Sequence, residues 1–180
     1  YQLDIPEGYV ASSTGTNYVG TAYTFATQAA QVKMWSLGYG GFGNLAQNNL
    51  TQYSSPVQVP GTWSDAKGHA GQGLVQNINY RMAIKPDGTL WGWGINNLGQ
   101  LGQSGTTQYS SPVQIPGTTW NSVSVSYYGA VATKTDGTLW NWGHNNRGEL
   151  GQNNVTPHKS PVQVPGTTWS FAMGGFVRHL

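Results

Sequence analysis

The chain has 180 residues, room for one domain with a sizeable core and little for a second. Only eight Lys or Arg and six Asp or Glu are present, 8% of the chain against roughly 25% in an average soluble domain, with a net charge of +2. The cations form no run, which argues against a nucleic-acid partner; the absence of Cys excludes disulfides, zinc-thiolate sites and thiol catalysis. No apolar stretch approaches the length of a membrane span, and the first ten residues do not read as a signal peptide.

Fourteen Asn and fourteen Gln outnumber the charged side chains two to one, and 26 residues are Gly. Eight Trp and ten Tyr supply rigid surface to bury and argue against disorder. The mixture reads as all-β. In chain order, residues 1–34 match the remainder poorly and are expected to form a degenerate N-terminal edge. From Trp35 onward the chain repeats itself. The string WSLGYGGFGNLAQNNLTQYSSPVQVPGTW opens a first copy at 35–90. WGWGINNLGQLGQSGTTQYSSPVQIPGTTW opens a second at 91–139, and WNWGHNNRGELGQNNVTPHKSPVQVPGTTW a third at 140–180. Trp91 and Trp140 lie 49 residues apart, as do Pro112 and Pro161; Trp35 and Trp91 lie 56 apart, as do Pro56 and Pro112. Seven extra residues are therefore expected between Trp63 and Trp91, as a bulging loop around Gly68 to Gly73.

Each copy holds four strand signals. Val57–Val59, Val113–Ile115 and Val162–Val164 alternate between two prolines, and Ser122–Ser126 has strict period two. Tyr128–Thr133 is a further run, and Gly137–Trp142 follows Asp136-Gly137, a two-residue hairpin signal also present at Asp87-Gly88. Four antiparallel strands at this period predict propeller blades, a partial β-propeller of about three. Residues 169–180 overlay on 120–131, which predicts that the chain stops within the third strand of a blade, as a piece of a larger ring would.

GTLWGWGINNLGQLGQ and GTLWNWGHNNRGELGQ, each followed by SPVQ, resemble the regulator-of-chromosome-condensation repeat family of β-propellers over residues 35–180. The first copy departs from it: Leu37 replaces the second Trp, Gly40-Gly41 replaces Asn-Asn, and Asn44-Leu-Ala46 replaces Gln-Leu-Gly. The resemblance implies a non-enzymatic protein-binding propeller; some relatives are exchange factors for small GTPases and others inhibit β-lactamases. Under this reading Trp35, Trp91, Trp93, Trp140 and Trp142 pack between blades, and Gly99 and Gly148 shape the repeat. Trp63, Trp120 and Trp169 follow Pro-Gly-Thr turns and seal blade edges.

No constellation supports catalysis or a cofactor. Gly38–Gly43 fits GxGxxG, but it aligns with Gly94–Gly99 and Gly143–Gly148 and no helix follows to receive a pyrophosphate. Asp87 and Asp136 occupy equivalent turns rather than the pair that glycoside cleavage needs. His69, His144, His158 and His179 share no metal-ligand spacing, so no metal is expected. The sequons at Asn49 and Asn154 share one repeat position with Gly105, which repetition explains without a sugar.

Function is sought where the copies differ, because a scaffold repeats what folding needs and varies where specificity is built. The differing sets are Tyr39/Ile95/His144, Phe42/Leu98/Arg147, the loops at Tyr53, Tyr109 and His158, and Tyr127-Tyr128 against Phe176-Val177. Candidate partner-binding residues are Tyr39, Phe42, Asn96, Asn97, Tyr109, Tyr127, Tyr128, His144, Arg147 and His158, the Tyr/Asn/Arg chemistry of adaptable binding surfaces. The expected partner is a protein, a glycan, or further blades of the same polypeptide. Low charge with abundant Asn, Gln, Gly, Ser and Thr favours an extracellular, surface or virion setting.

Overall fold

A computed structural model describes residues 31–64, 69–70 and 79–169. The readings placed on 1–30 and 170–180, His179 among them, lie outside the described residues. Twelve strands and no helix are found among the described residues: β1 Gln31–Val32, β2 Trp35–Gly38, β3 Tyr53–Gln58, β4 Trp63–Ser64, β5 His69–Ala70, β6 Tyr80–Ile84, β7 Leu90–Gly94, β8 Tyr109–Gln114, β9 Trp120–Val125, β10 Gly129–Lys134, β11 Leu139–Gly143 and β12 His158–Val164. Two four-stranded antiparallel sheets, β5-β6-β7-β8 and β9-β10-β11-β12, are successive blades. β2-β3 and β1-β4 are two-stranded. The all-β reading and the four-strand unit hold. Blades run from β5 to β8 and from β9 to β12, so they are out of phase with a repeat drawn from Trp to Trp.

The sequence dictates the strand order within a blade. β10 is buried along Gly129–Thr133, as an inner strand covered on both faces must be. β9 alternates, with Trp120, Val123 and Val125 buried and the serines between them only partly so. The outer strands β8 and β12 begin earlier than the alternation between prolines suggests. They include Tyr109-Ser-Ser and His158-Lys-Ser, so Tyr109 and His158 head strands instead of lying in loops. Pro112 and Pro161 are tolerated because an outermost strand needs no second set of ladder bonds.

The Asp-Gly turns are also longer than a two-residue hairpin. Gly88 N–H donates to Lys85 O at 2.9 Å and Lys85 N–H to Thr89 O at 2.9 Å, so the loop is Pro86–Gly88 with only the glycine at positive φ (80°). Asp87 Oδ1 accepts from Thr89 N–H and Oγ1–H at 2.9 and 2.6 Å; Asp136 does the same with Thr138. Both acids are therefore turn formers.

The extra residues of the first copy number eight, because Pro60-Gly-Thr-Trp63 lacks one Thr of Pro116-Gly-Thr-Thr-Trp120. They do not form one bulge. His69 pairs with Ala83 where Val123 pairs with Ala132, which puts three extra residues before β5 and five after it. Within Gly68–Gly73, His69 and Ala70 are thus a paired outer strand; the other four lie outside the described residues.

The core sits between blades. Tyr80, Met82, Ile84, Leu90, Leu101 and Ile115 pack against Trp120, Val123, Val125, Ala130, Ala132 and Trp142 of the next sheet. A second cluster joins Ala46, Val59, Trp63, Ala83 and Trp93. Three kinds of hydrogen bond recur at the junctions, and all three meet at the one between the two four-stranded sheets. The second Trp of a copy donates its indole N–H to the preceding corner, Trp93 to Asn44 O at 3.1 Å and Trp142 to Gln100 O at 2.7 Å. The Trp after each Pro-Gly-Thr turn donates its backbone N–H to the preceding hairpin, Trp120 to Gly88 O at 2.9 Å and Trp169 to Gly137 O at 3.0 Å. A corner N–H reaches the next outer strand, Asn48 to Ser110 O and Ser104 to Lys159 O, both at 2.8 Å.

The packing assignment therefore holds for Trp93 and Trp142 and, half-buried, for Trp91 and Trp140. The ammonium of Lys85 lies 3.6 Å from the Trp91 ring centre and that of Lys134 4.3 Å from Trp140, while Thr89 and Thr138 accept the indole N–H groups at 2.8 Å. Trp35 is a correction: it is 56% exposed. Its copy has Lys33 where Thr89 and Thr138 stand and Ala29 where Lys85 stands, so neither polar partner exists for it. Trp63 and Trp120 are fully buried rather than merely edge seals, whereas Trp169 is 40% exposed.

Candidate recognition surface

Each copy turns a corner between the last two strands of its sheet, and in the second and third copies an Asn holds it in the same way, where the first copy has Gly40. In the second, Asn96 Oδ1 accepts from Leu101 N–H at 2.8 Å, and its Nδ2 donates to Gly105 O and Thr107 O at 3.2 and 3.0 Å. Asn145 makes the same bonds to Leu150, Asn154 and Thr156 in the third. Asn96 is completely buried, so its assignment to partner binding is corrected: all its capacity is spent holding the corner together. Asn97 is exposed, its Oδ1 accepting from Gln100 Nε2 at 3.1 Å.

On this frame the variable side chains take equivalent places. Tyr39 and Phe42 meet edge to face at 5.9 Å on the first corner, with Tyr39 exposed. Ile95 and Leu98 occupy the second, and His144 and Arg147 the third. Apolar chemistry thus gives way to polar chemistry from one corner to the next.

The third corner gathers four of the ten candidates, Tyr127, Tyr128, His144 and Arg147. The Tyr127 and Tyr128 rings meet at 4.3 Å and 82°, and Tyr128 lies 5.4 Å from the His144 ring. His144 N–H donates to Tyr128 O at 3.0 Å, fixing corner to hairpin. Glu149, absent from the sequence-derived set, completes the group. Its Oε1 lies 3.2 Å from His144 Nδ1 and its Oε2 accepts from Arg147 N–H at 2.8 Å. Burial pushes the Glu149 carboxyl up, but the Arg147 N–H and the His144 ring outweigh it and hold it below the ordinary glutamate value. The signal for it was present: Gln100 bonds Leu98 N–H in the same way, and only the third copy exchanges that Gln for a charge beside His and Arg.

Tyr109 is half-buried against the inter-blade core, and His158 faces Gly143 across the ladder. Among the described residues no three His, Asp or Glu side chains are grouped to hold a metal, and no helix is long and apolar enough to cross a membrane.

The regulator of chromosome condensation (RCC1) repeat matches residues 87–132 and 136–173. The chain carries repeats of this family. Solved propellers, RCC1 among them, share its fold. The crystal structure of human WBSCR16 is 21% identical with a TM-score of 0.56, covering 74% of this chain and 33% of its own. Prp20p from Saccharomyces cerevisiae, described with its binding to Gsp1p and histones, is 14% identical with a TM-score of 0.55, covering 76% and 34%. Yeast RCC1 (Prp20) in complex with Kap60 is 17% identical with a TM-score of 0.56, covering 87% and 42%. The chain spans about a third to two-fifths of the length of these propellers.

Proposed function

We propose that this RCC1-repeat chain is a protein-binding module whose specificity resides at the third corner, in Tyr127, Tyr128, His144 and Arg147. The observation that carries the reading is the contrast between a frame held alike in the second and third corners, by Asn96 and Asn145 with the same bonds, and side chains that change chemistry on it. Paired tyrosines beside a cation and a carboxylate-bound imidazole offer stacking area and directional bonds with little ordering cost, as interface anchors do. Binding rather than catalysis fits the acids, since Asp87 and Asp136 are committed to turns and Glu149 to His144 and Arg147.

A regulatory version of this reading, with the partner an enzyme or a nucleotide-binding protein, draws support from RCC1-type propellers described with Gsp1p, histones and Kap60. The glycan reading and the surface or virion setting rest on composition. Affinity capture from the native source with wild-type chain and with Tyr127→Ala/Arg147→Glu separates them. The reading expects a defined protein retained by wild type and lost by the variant at unchanged melting temperature. A saccharide bound on a glycan array equally by both would sink it.

A further inference from the structure

Five residues after the variable Tyr39, Ile95 and His144 stand Asn44, Gln100 and Glu149. Gln100 shows what this position does for the corner. Its Oε1 accepts from Leu98 N–H at 2.8 Å, and its Nε2 donates to Asn97 Oδ1 at 3.1 Å. Glu149 keeps the first bond, Oε2 accepting from Arg147 N–H at 2.8 Å. It cannot make the second, because an ionised carboxylate has nothing to donate. Its other oxygen lies 3.2 Å from His144 Nδ1 instead. A carboxylate thus stands at this position in the one copy whose variable residue has a ring nitrogen.

A partner that only accepts decides which ring nitrogen carries the hydrogen. Burial pushes the Glu149 carboxyl up, but its bonds from Arg147 N–H and the His144 ring hold it below the ordinary glutamate value, so it is ionised at neutral pH. His144 Nδ1–H is then the donor, and in the neutral imidazole the lone pair is left on Nε2. A carboxylate behind one nitrogen orients a histidine for what the other nitrogen meets. The ring is also held from the side, by the Tyr128 ring at 5.4 Å and by His144 N–H on Tyr128 O at 3.0 Å.

Nε2 has no partner among the described residues and is not shut off from solvent. Its place stays accessible beside a filled junction: at the second corner, with the following sheet packed on it, Ile95 and Leu98 are still partly exposed.

We propose that Glu149 is a positioning residue that fixes His144 as a hydrogen-bond acceptor, so that the protein recognised at this corner presents an N–H or O–H donor to Nε2. A carboxylate brought to the same place would set lone pair against lone pair and is refused. The proposal rests on the reading of the third corner as the binding site.

Nitrogen-15 NMR of the imidazoles at about pH 8, where histidine is ordinarily neutral, reads the ring directly. The His144 signals are those missing from His144→Gln. Wild type is expected to carry the hydrogen on Nδ1. Glu149→Gln should keep the corner and the melting temperature, since Gln100 serves in the second copy. Its amide donates to Nδ1, and the hydrogen should move to Nε2. The protein that wild type retains in affinity capture, eluted and titrated back, should bind Glu149→Gln at least about tenfold more weakly, because two donors then face each other. A hydrogen on Nε2 in wild type, the same form in both chains, or equal affinity for both would each overturn the proposal. Retention of that protein by Tyr127→Ala/Arg147→Glu would overturn the corner as the binding site, and the proposal with it, whichever nitrogen carries the hydrogen.

Discussion

Trp142 is fully buried, packs 6.0 Å from Trp120, and donates its indole N–H across the junction to Gln100 O. Its loss removes a large apolar side chain and orphans a buried carbonyl. Trp142→Ala is expected to cost about 3–5 kcal/mol, a large share of a marginal stability, read as a lower denaturant midpoint. Trp35→Ala, at the exposed member of the same repeat set, should stay within about 0.5 kcal/mol of wild type. Asn96→Ala leaves Leu101 N–H and two carbonyls without their partner and is expected to cost about 1–3 kcal/mol, which urea titration would show. The sequence held part of the clue to Asn96. It recurs as Asn145 while Ile95 before it becomes His144, although Asn97, which recurs as Asn146, is exposed, so recurrence alone does not separate frame from surface. Trp35 was legible too, in the missing Thr and Lys of its own copy. Glu149 required knowing that the Gln it replaces binds a backbone N–H, which spacing alone does not reveal.

At the scale of elements, the hairpin turns carry a pH signature. Hydrogen bonds from the Thr89 hydroxyl and N–H hold the Asp87 carboxyl below its ordinary range, with Lys85 assisting; Thr138 does the same for Asp136. A carboxylate with a folded value below its unfolded one stabilises the fold fully above the unfolded value, near 3.9, and loses that contribution as pH falls through the folded value. Stability should therefore decline as pH drops below about 4. The double variant Asp87→Asn/Asp136→Asn should show a flatter acid limb in thermal melts followed from pH 6 to pH 2; an unchanged slope would remove the turns as its source. Strand existence was read correctly because alternation and Asp-Gly survive in a single sequence. The extent of β8 and β12 was misread because proline argues against strands in general and only an outermost position excuses it. The split insertion around β5 could not be read from spacing, since spacing fixes the total but not where pairing resumes.

Across the whole molecule, stability is expected to follow the junctions rather than the strands themselves. β6, β7 and β9 to β11 contribute to one core shared by two complete sheets, closed by Trp142, by Trp120 on Gly88, and by the Tyr80 hydroxyl 2.6 Å from Gly129 O. Among the described residues β2-β3 pairs with no further strand, exposes Trp35 and Leu37, and sends no indole back to an earlier corner. The period of 49 residues foretold blades, yet it assigns the same worth to every copy. What separates them is which side chains find a neighbour, and that depends on the few substitutions that make the first copy irregular. Amides that open only with the shared core should exchange at the global rate, and those of a lone hairpin by local opening. Hydrogen exchange read by mass spectrometry is thus expected to show peptides across 120–143 protected longest, those across 80–94 next, and those across 35–58 least by at least tenfold. Equal protection of 35–58 and 120–143 in dilute chain would mean that the first hairpin is not a loose edge.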